Sequence, residues 1–237
     1  MDHEENGWPV EFLYIVVGIS CIALMGWWSN LNRKASSLTE VPQSPMSLNK
    51  KQYPVGKLNL IMGPMFAGKT RELLRRLDYH RVSSKIQDVR CLLIKSKKDN
   101  RYDPKSVVCH NHDLKDSNCL VVDCLEQIKN QDIAHVQHIF VDEGQFFPDL
   151  VRMALAWIES GRHVTVAALD AYASQEMWPN VACLIPWCNN LVKLHAVCGV
   201  CGDSAPLSVK YTHKDEKNLE VGGKELYRAS CVGCRKI

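Results

Sequence analysis

The chain has no excess of charge of one sign, with 29 lysines and arginines against 26 aspartates and glutamates in 237 residues. No long basic run interleaved with aromatics occurs, so composition offers no electrostatic footprint for a nucleic acid and no such partner is expected. An N-K-x-D guanine signature is also absent, which argues against a GTPase. The 11 cysteines are odd in number and spread along the chain, unlike the dense framework of a small secreted scaffold, so disulfides are not expected. Cys91, Cys183 and Cys188, in apolar settings, read as small hydrophobes. Finally, the N-terminus lacks the positive flank of a secretory signal, since Asp2, Glu4, Glu5 and Glu11 precede or edge the first apolar run.

What is present begins with that run. Residues 12–28, FLYIVVGISCIALMGWW, contain no charge and end in Trp27 and Trp28. About 17 apolar residues is the lower limit for a membrane-crossing helix, and paired tryptophans suit an interface. Arg33 and Lys34 on the far side would keep the remainder of the chain cytoplasmic. A membrane anchor is therefore expected, with an interfacial helix, a targeting segment or a cleaved signal as alternatives. Residues 30–56 shift to Asn, Ser, Lys, Gln and Pro without period and read as a linker. The domain plan is residues 1–29 as the hydrophobic segment, 30–56 as linker, 57–194 as an α/β domain and 195–237 as a C-terminal module.

The α/β domain opens on the most informative stretch, LNLIMGPMFAGKT at residues 58–70. Gly63 and Gly68 bracket Pro64, Met65, Phe66 and Ala67, and Lys69 and Thr70 follow, matching G-x-x-x-x-G-K-[ST] in full. Glycines let successive N–H groups turn inward around an anion, and the next helix adds its unpaired donors and positive end. Lys69 supplies a point charge and Thr70 a hydroxyl for Mg²⁺. Leu73, Leu74 and Leu77 then recur at helical spacing, leaving Arg71, Arg75 and Arg76 on a solvated face.

Further strands are expected at 89–94, 118–124, 138–143, 163–169 and 191–197. Helices are expected at 125–134 and from Pro148 to Gly161, the latter with Leu150, Val151, Ala154, Leu155 and Ile158 as its buried stripe. This alternation indicates a parallel sheet. The strand HIFVDE delivers Asp142 and Glu143 at its C-terminal end, where open α/β sheets bind ligands. It resembles a Walker B strand, in which the Asp holds Mg²⁺ and the next carboxylate is available as a base; two solvated acids are the alternative. Near the C-terminus, Cys198-x-x-Cys201 and Cys231-x-x-Cys234 suit a tetrahedral zinc site pinning a polar excursion. Unliganded cysteines or a redox pair are the competing readings, although a redox pair would not require the second C-x-x-C.

With GPMFAGKT, KDNRY, VDEGQFF, AALD and the paired C-x-x-C in view, residues 58–234 closely resemble the thymidine kinase family of the cellular and poxvirus type. The resemblance implies transfer of the γ-phosphoryl group of ATP to thymidine, a structural Zn²⁺, a homotetramer, and a lasso covering the nucleoside. It places Gly63 to Thr70 with Asp99, Asn100, Arg101, Asp142, Gly144 and Gln145 around ATP, Thr70 and Asp142 on Mg²⁺, and Glu143 as the base. It assigns Met65, Phe146, Leu169, Ala173, Val221, Gly222 and Tyr227 to the nucleoside. One stretch departs: residues 171–178 read AYASQEMW where the family has a GTFQRKPF-like sequence. Ala173 stands where an aromatic packs on the nucleoside, and Tyr172 is the adjacent ring that could replace it. The lasso before Gly222 is also about one residue shorter than the family's. The altered stretch at Ala173 motivates an alternative, a catalytically impaired nucleotide-binding protein derived from the family.

Overall fold

Six strands whose residues alternate between two buried faces form the framework. They are β1 (Leu58–Gly63), β2 (Arg90–Ser96), β5 (Leu120–Val122), β6 (Val136–Asp142), β7 (His163–Leu169) and β8 (Asn190–Lys193), with the short strands β3 (Val107–Val108) and β4 (Lys115–Asp116) pairing separately. The computed structural model describes residues 55–87, 90–99, 105–108, 115–129, 131, 133–211 and 222–236. These lie in one unit, Gln52–Ile237. The strand order is β5-β2-β6-β7-β1-β8, and every pairing in that sheet is parallel.

A parallel sheet needs cover on both sides, and the sequence supplies it. Helix α1 (Lys69–Gln87) lays Leu73, Leu74 and Leu77 against Ile61, Leu93, Phe140 and Ala167. Helix α2 (Leu150–Glu159) lays Leu150, Ala154, Trp157 and Ile158 against the other face, which presents Leu60, Ile139, Val141, Val164 and Val166. Each aliphatic side chain buried this completely contributes roughly 1.5–3 kcal/mol. A short helix, α3 (Pro179–Ala182), follows β7. Beyond β8 lie two antiparallel ladders, β9 (Ala196–Val197) with β10 (Ser204–Ala205), and β11 (Leu207–Lys210) with β12 (Tyr227–Ser230).

Several expectations change. The helix expected over 125–134 is only a 3-10 turn, Leu125–Gln127: the Asp149 carboxylate caps its start by accepting the Leu125 and Glu126 N–H groups, and the backbone is already extended at Ile128. With its carboxylate so engaged, Asp149 stands as N-cap residue to α2 without a side-chain capping bond, and the helix starts at Leu150 rather than Pro148. Trp157 joins its buried stripe, while Val151 and Leu155 are only half-buried. The run expected over 191–197 divides between β8 and β9, because the Leu194 N–H turns to the Met62 carbonyl at 2.8 Å. Cys183 is exposed rather than packed. The hydrophobic segment 12–28 and the linker up to residue 54 lie outside the described residues.

Candidate active site

Three strand ends converge on the site: Gly63 of β1, Asp142 of β6 and Leu169 of β7. At the first, the chain turns sharply. Gly63 has φ 151°, and a Cβ there would lie 2.3 Å from the Leu194 carbonyl oxygen, so no other residue fits. Phe66 adopts a left-handed φ of 65° and Gly68 one of 82°, which curls the loop into the start of α1. The Lys69 ammonium, buried, donates to the Pro64 carbonyl at 2.7 Å and so closes the loop on itself. One turn of α1 is braced by Glu72, whose carboxylate accepts from Arg75 (2.7 Å) and Arg76 (2.8 Å). The Arg75 bond, then that from Arg76, holds this carboxyl down at about 2 against the opposing effect of burial.

Strand β6 delivers the acids. The Thr70 hydroxyl donates to the Asp142 carboxylate at 3.1 and 3.3 Å, tying the two expected Mg²⁺ ligands together across 72 residues of sequence. Asp142 and Glu143 are only 3% and 8% exposed, which excludes a pair of solvated acids. Glu143 sits at φ 51°, ψ 45°, a left-handed conformation that turns its side chain off the strand and costs of order 1–3 kcal/mol. Gln145 is the clamp that the sequence did not reveal as such. Its Nε2 donates to Glu143 Oε2 at 2.5 Å, while its Oε1 accepts the Leu169 N–H at 2.9 Å, fixing the carboxylate to the end of β7. Gly144 is needed for space, since a Cβ would lie 2.6 Å from Val166 Cγ1. Asn180 of α3 braces the same turn by donating to the Gln145 and Phe147 carbonyls at 3.1 and 3.0 Å.

Cys198, Cys201, Cys231 and Cys234 form the metal-competent cluster among the described residues, their sulfurs all within 4.8 Å of one another. A tetrahedral ion with Zn–S near 2.3 Å separates its sulfurs by about 3.8 Å, and the Cys201 to Cys231 separation is 3.6 Å, so the donor set fits zinc. Backbone N–H groups, that of Cys201 foremost, pull the Cys198 thiol down to about 6, whereas hydrogen bonds with the neighbouring cysteines, Cys231 foremost, push Cys234 up to about 12. This module also touches the phosphate loop. Phe66 and Ala67 pack on the small core of Ala196, Cys198, Ala205 and Ala229 with Cys231 and Cys234. Ser208 of β11 accepts the Met65 N–H at 2.9 Å. Nothing in the local sequence around Ser208 signals this contact, which spans 143 residues.

A family model described as thymidine kinase matches residues 56–235. The chain belongs to the thymidine kinase family. It is 38% identical over 180 residues to a thymidine kinase of Yaba monkey tumor virus, covering 76% of this chain and 94% of the relative. It is 37% identical over 182 residues to thymidine kinase 1 of Dictyostelium discoideum, covering 76% and 77%. To the human cytosolic thymidine kinase it is 36% identical over 199 residues, covering 83% and 77%. These relatives correct the expected membrane location, because the human one is named cytosolic. Among the described residues, no helix is long and apolar enough to cross a membrane. The longest, α1, has 19 residues but carries Arg71, Arg75 and Arg76, which a bilayer core would not accept.

The stretch that departs from the family forms a tight hairpin. The Trp178 N–H donates to the Asp170 carbonyl, Tyr172 N–H to Glu176, and Ala171 bridges Met177. Ala173 lies half-buried at the tip, where its carbonyl accepts from the Gln175 side chain. Tyr172 does not stand alone: its ring stacks on Trp178 at 3.8 Å, and Trp178 meets Phe146 edge-on at 6.3 Å. Met65 and Phe146 are buried and Leu169 half-buried. Gly222 and Tyr227 lie on the returning lasso, where Tyr227 pairs with Lys210 in the β11–β12 ladder. Asp99 is buried after β2. Asn100, Arg101 and Val221 lie outside the described residues.

Proposed function

We propose that this chain transfers the γ-phosphoryl group of ATP to the 5′-hydroxyl of thymidine. The observation that carries this reading is the Thr70 to Asp142 contact of 3.1 Å beneath a complete phosphate loop, with Glu143 next in the chain and clamped. Gly63, Pro64, Met65, Phe66, Ala67, Gly68 and Lys69 would cradle the phosphates, assisted by Asp99, Asn100, Arg101, Gly144 and Gln145. Thr70 and Asp142 would hold Mg²⁺, which supplies charge neutralisation on the phosphate oxygens when bound. Glu143 accepts the proton of the 5′-hydroxyl as that oxygen bonds to the γ-phosphorus and the bond to the β-phosphate oxygen breaks. A loose transition state asks little more than alignment and charge from the protein, and a buried, pre-oriented carboxylate meets that need.

Met65, Phe146, Leu169, Ala173, Val221, Gly222 and Tyr227 are proposed to enclose the nucleoside, with Tyr172 supplying the ring that Ala173 lacks. Four cysteines hold a structural Zn²⁺ that pins the lasso, residues 57–194 and 195–237 act as catalytic domain and lasso module, and the assembly is a homotetramer. The test is phosphate transfer by the full chain from ATP to thymidine, deoxyuridine and deoxycytidine. Turnover on thymidine is expected. Binding of ATP with no turnover on any of the three would favour the impaired nucleotide-binding protein, the reading that the altered hairpin motivates.

A further inference from the structure

Asp170 is buried, at 5% exposure, and none of the roles above uses its carboxylate. It stands one residue beyond β7, at the edge of the sheet where Gly63, Asp142 and Leu169 converge. A carboxylate taken out of water costs several kcal/mol unless it is paired and hydrogen-bonded. The partner is Lys193, the last residue of β8, whose Nζ donates to Asp170 Oδ2 at 2.6 Å. The lysine side chain is 41% exposed, so it is the acid whose burial demands the pairing.

The two residues belong to strands that are not neighbours. Between β7 and β8 runs β1, with Gly63 in register with Leu169 on one side and Met62 in register with Lys193 on the other. Lys193 therefore projects to the face of Met62 and Ala168, the α2 side, and its bond to Asp170 crosses the point where β1 gives way to the phosphate loop. Strand β8 is an edge strand, paired in the sheet with β1 alone, so no further strand holds its end. That end matters to the loop. The Leu194 N–H donates to the Met62 carbonyl at 2.8 Å, and the Leu194 carbonyl oxygen is the atom that a Cβ on Gly63 would meet at 2.3 Å. The end of β8 is thus the wall against which the Gly63 turn is built, and Asp170 ties that wall to β7.

We propose that Asp170 and Lys193 are positioning residues for the ATP phosphates. Their ion pair holds Leu194 against Gly63 and so fixes the direction in which the loop of residues 63–70 leaves the sheet. The inference rests on the reading of that loop as the ATP site. An edge-strand end freed from this tie would shift by about an ångström, a displacement that costs the alignment of the loop N–H groups far more than it costs nucleoside binding.

The experiment is equilibrium binding of ATP together with steady-state kinetics on the full chain, for Asp170→Asn, Lys193→Met and the double variant, each checked for melting temperature and bound zinc. Asp170→Asn is expected to weaken ATP binding about tenfold, the equivalent of one hydrogen bond, and to lower kcat about tenfold or more through misalignment, while the KM for thymidine stays within about twofold. Lys193→Met should give a comparable loss, and the double variant should be little worse than the worse single, since the two act as one unit. A pair that only stabilises the fold would instead lower the melting temperature and leave ATP binding by the folded fraction unchanged; that outcome overturns the proposal. So does a double variant whose loss is the product of the singles. A rise in the KM for thymidine equal to the loss for ATP also overturns it, because the pair would then support the hairpin that begins at Asp170 and not the loop. Lys193→Met leaves a buried charge without its partner. If it does not fold, Asp170→Asn decides, because it leaves behind only an ammonium that water can reach: a loss of ATP affinity at unchanged melting temperature supports the proposal, and wild-type affinity overturns it. A wild-type chain that binds no ATP would remove the reading of the loop itself, an outcome distinct from all of these; one that binds ATP but phosphorylates no nucleoside would remove the kinase reading and leave the binding comparison to decide.

Discussion

The proposed phosphate end and the proposed nucleoside end of this site are built differently. At the phosphate end, the eight contiguous residues 63–70 form one loop through backbone geometry, and Asp142 to Gln145 complete it from one strand end. At the nucleoside end, the residues come from four separated places: Met65, Phe146, the hairpin of Tyr172 and Trp178, and a lasso returning through Tyr227. The contrast follows from the ligands. A polyphosphate is bound by N–H groups, a lysine and a metal, which ask for a fixed backbone turn and a few fixed side chains. A base is bound by shape and stacking, which one ring can provide as well as another. In this chain the ring proposed for that role is Tyr172, stacked on Trp178 at 3.8 Å.

The largest effect should come from the proposed base. Glu143→Gln keeps the side chain's size and a partner for Gln145, and removes only the proton acceptor. Turnover should fall about 10²- to 10⁴-fold, with ATP affinity nearly unchanged. Measuring kcat alongside ATP binding checks this; near-normal phosphorylation would remove Glu143 from the role.

Next is the zinc module, which tests whether the two ends are independent. Cys231→Ser should lower bound zinc from about one per chain and disorder the lasso. Because Phe66 and Ala67 pack on this module, the KM for ATP should rise together with that for thymidine. A variant that loses thymidine binding but keeps its ATP KM would show that the phosphate loop stands by itself. Ser208→Ala makes the same test through one bond. It leaves the buried Met65 N–H without its acceptor, at a cost of about 1–3 kcal/mol, and should weaken ATP binding by about fivefold or more with zinc content intact.

How legible each end was in the sequence follows the same division. The phosphate loop and the buried carboxylates could be read directly because short-range backbone turns impose their spacing, as Gly63 against the Leu194 carbonyl illustrates. The strands of the parallel sheet were legible because each is a short apolar run. The helix expected over 125–134 failed because the chain turns extended at Ile128, with Leu125, Ile128 and Ile133 all buried in one core, a tertiary packing that the local pattern does not show. Ser208, Asn180 and the clamp made by Gln145 were not legible as contacts, since each depends on a neighbour brought close only by the fold.

At the nucleoside end the expected effect is smaller. Tyr172→Ala removes the ring proposed to pack on the nucleoside, a contact worth about 0.5–1.5 kcal/mol beyond lost area. The KM for thymidine should rise about twofold to twelvefold while the KM for ATP holds. Equal rises in both would mean that the hairpin supports the whole site rather than the base alone.

The smallest effect near neutral pH should arise far from both ends, at the opposite edge of the sheet. His138, at the beginning of β6, lies 3.9 Å from the ring of His80 and 4.8 Å from that of His163. Burial, then the positive charge of His80 and His163, pushes His138 down to about 4; burial foremost also lowers His80 and His163. The Lys57 N–H donates to His163 Nδ1 at 3.1 Å, a bond that only the unprotonated nitrogen can accept. A depressed histidine pKa means that the unfolded chain, near 6.5, binds protons that the folded chain refuses. Stability is therefore full above about pH 6.5 and declines as pH falls toward about 4. Denaturant unfolding of the full chain and of His138→Phe at pH 7 and pH 5 should show the wild type losing more than the variant, a difference that zinc release in acid, common to both, does not produce. Since the stack sits at the end of β6 remote from Asp142, acid should lower ATP and thymidine binding together, in step with the folded fraction. A fall in thymidine binding alone, at constant folded fraction, would reveal a titrating group within the nucleoside end and separate the two regions further.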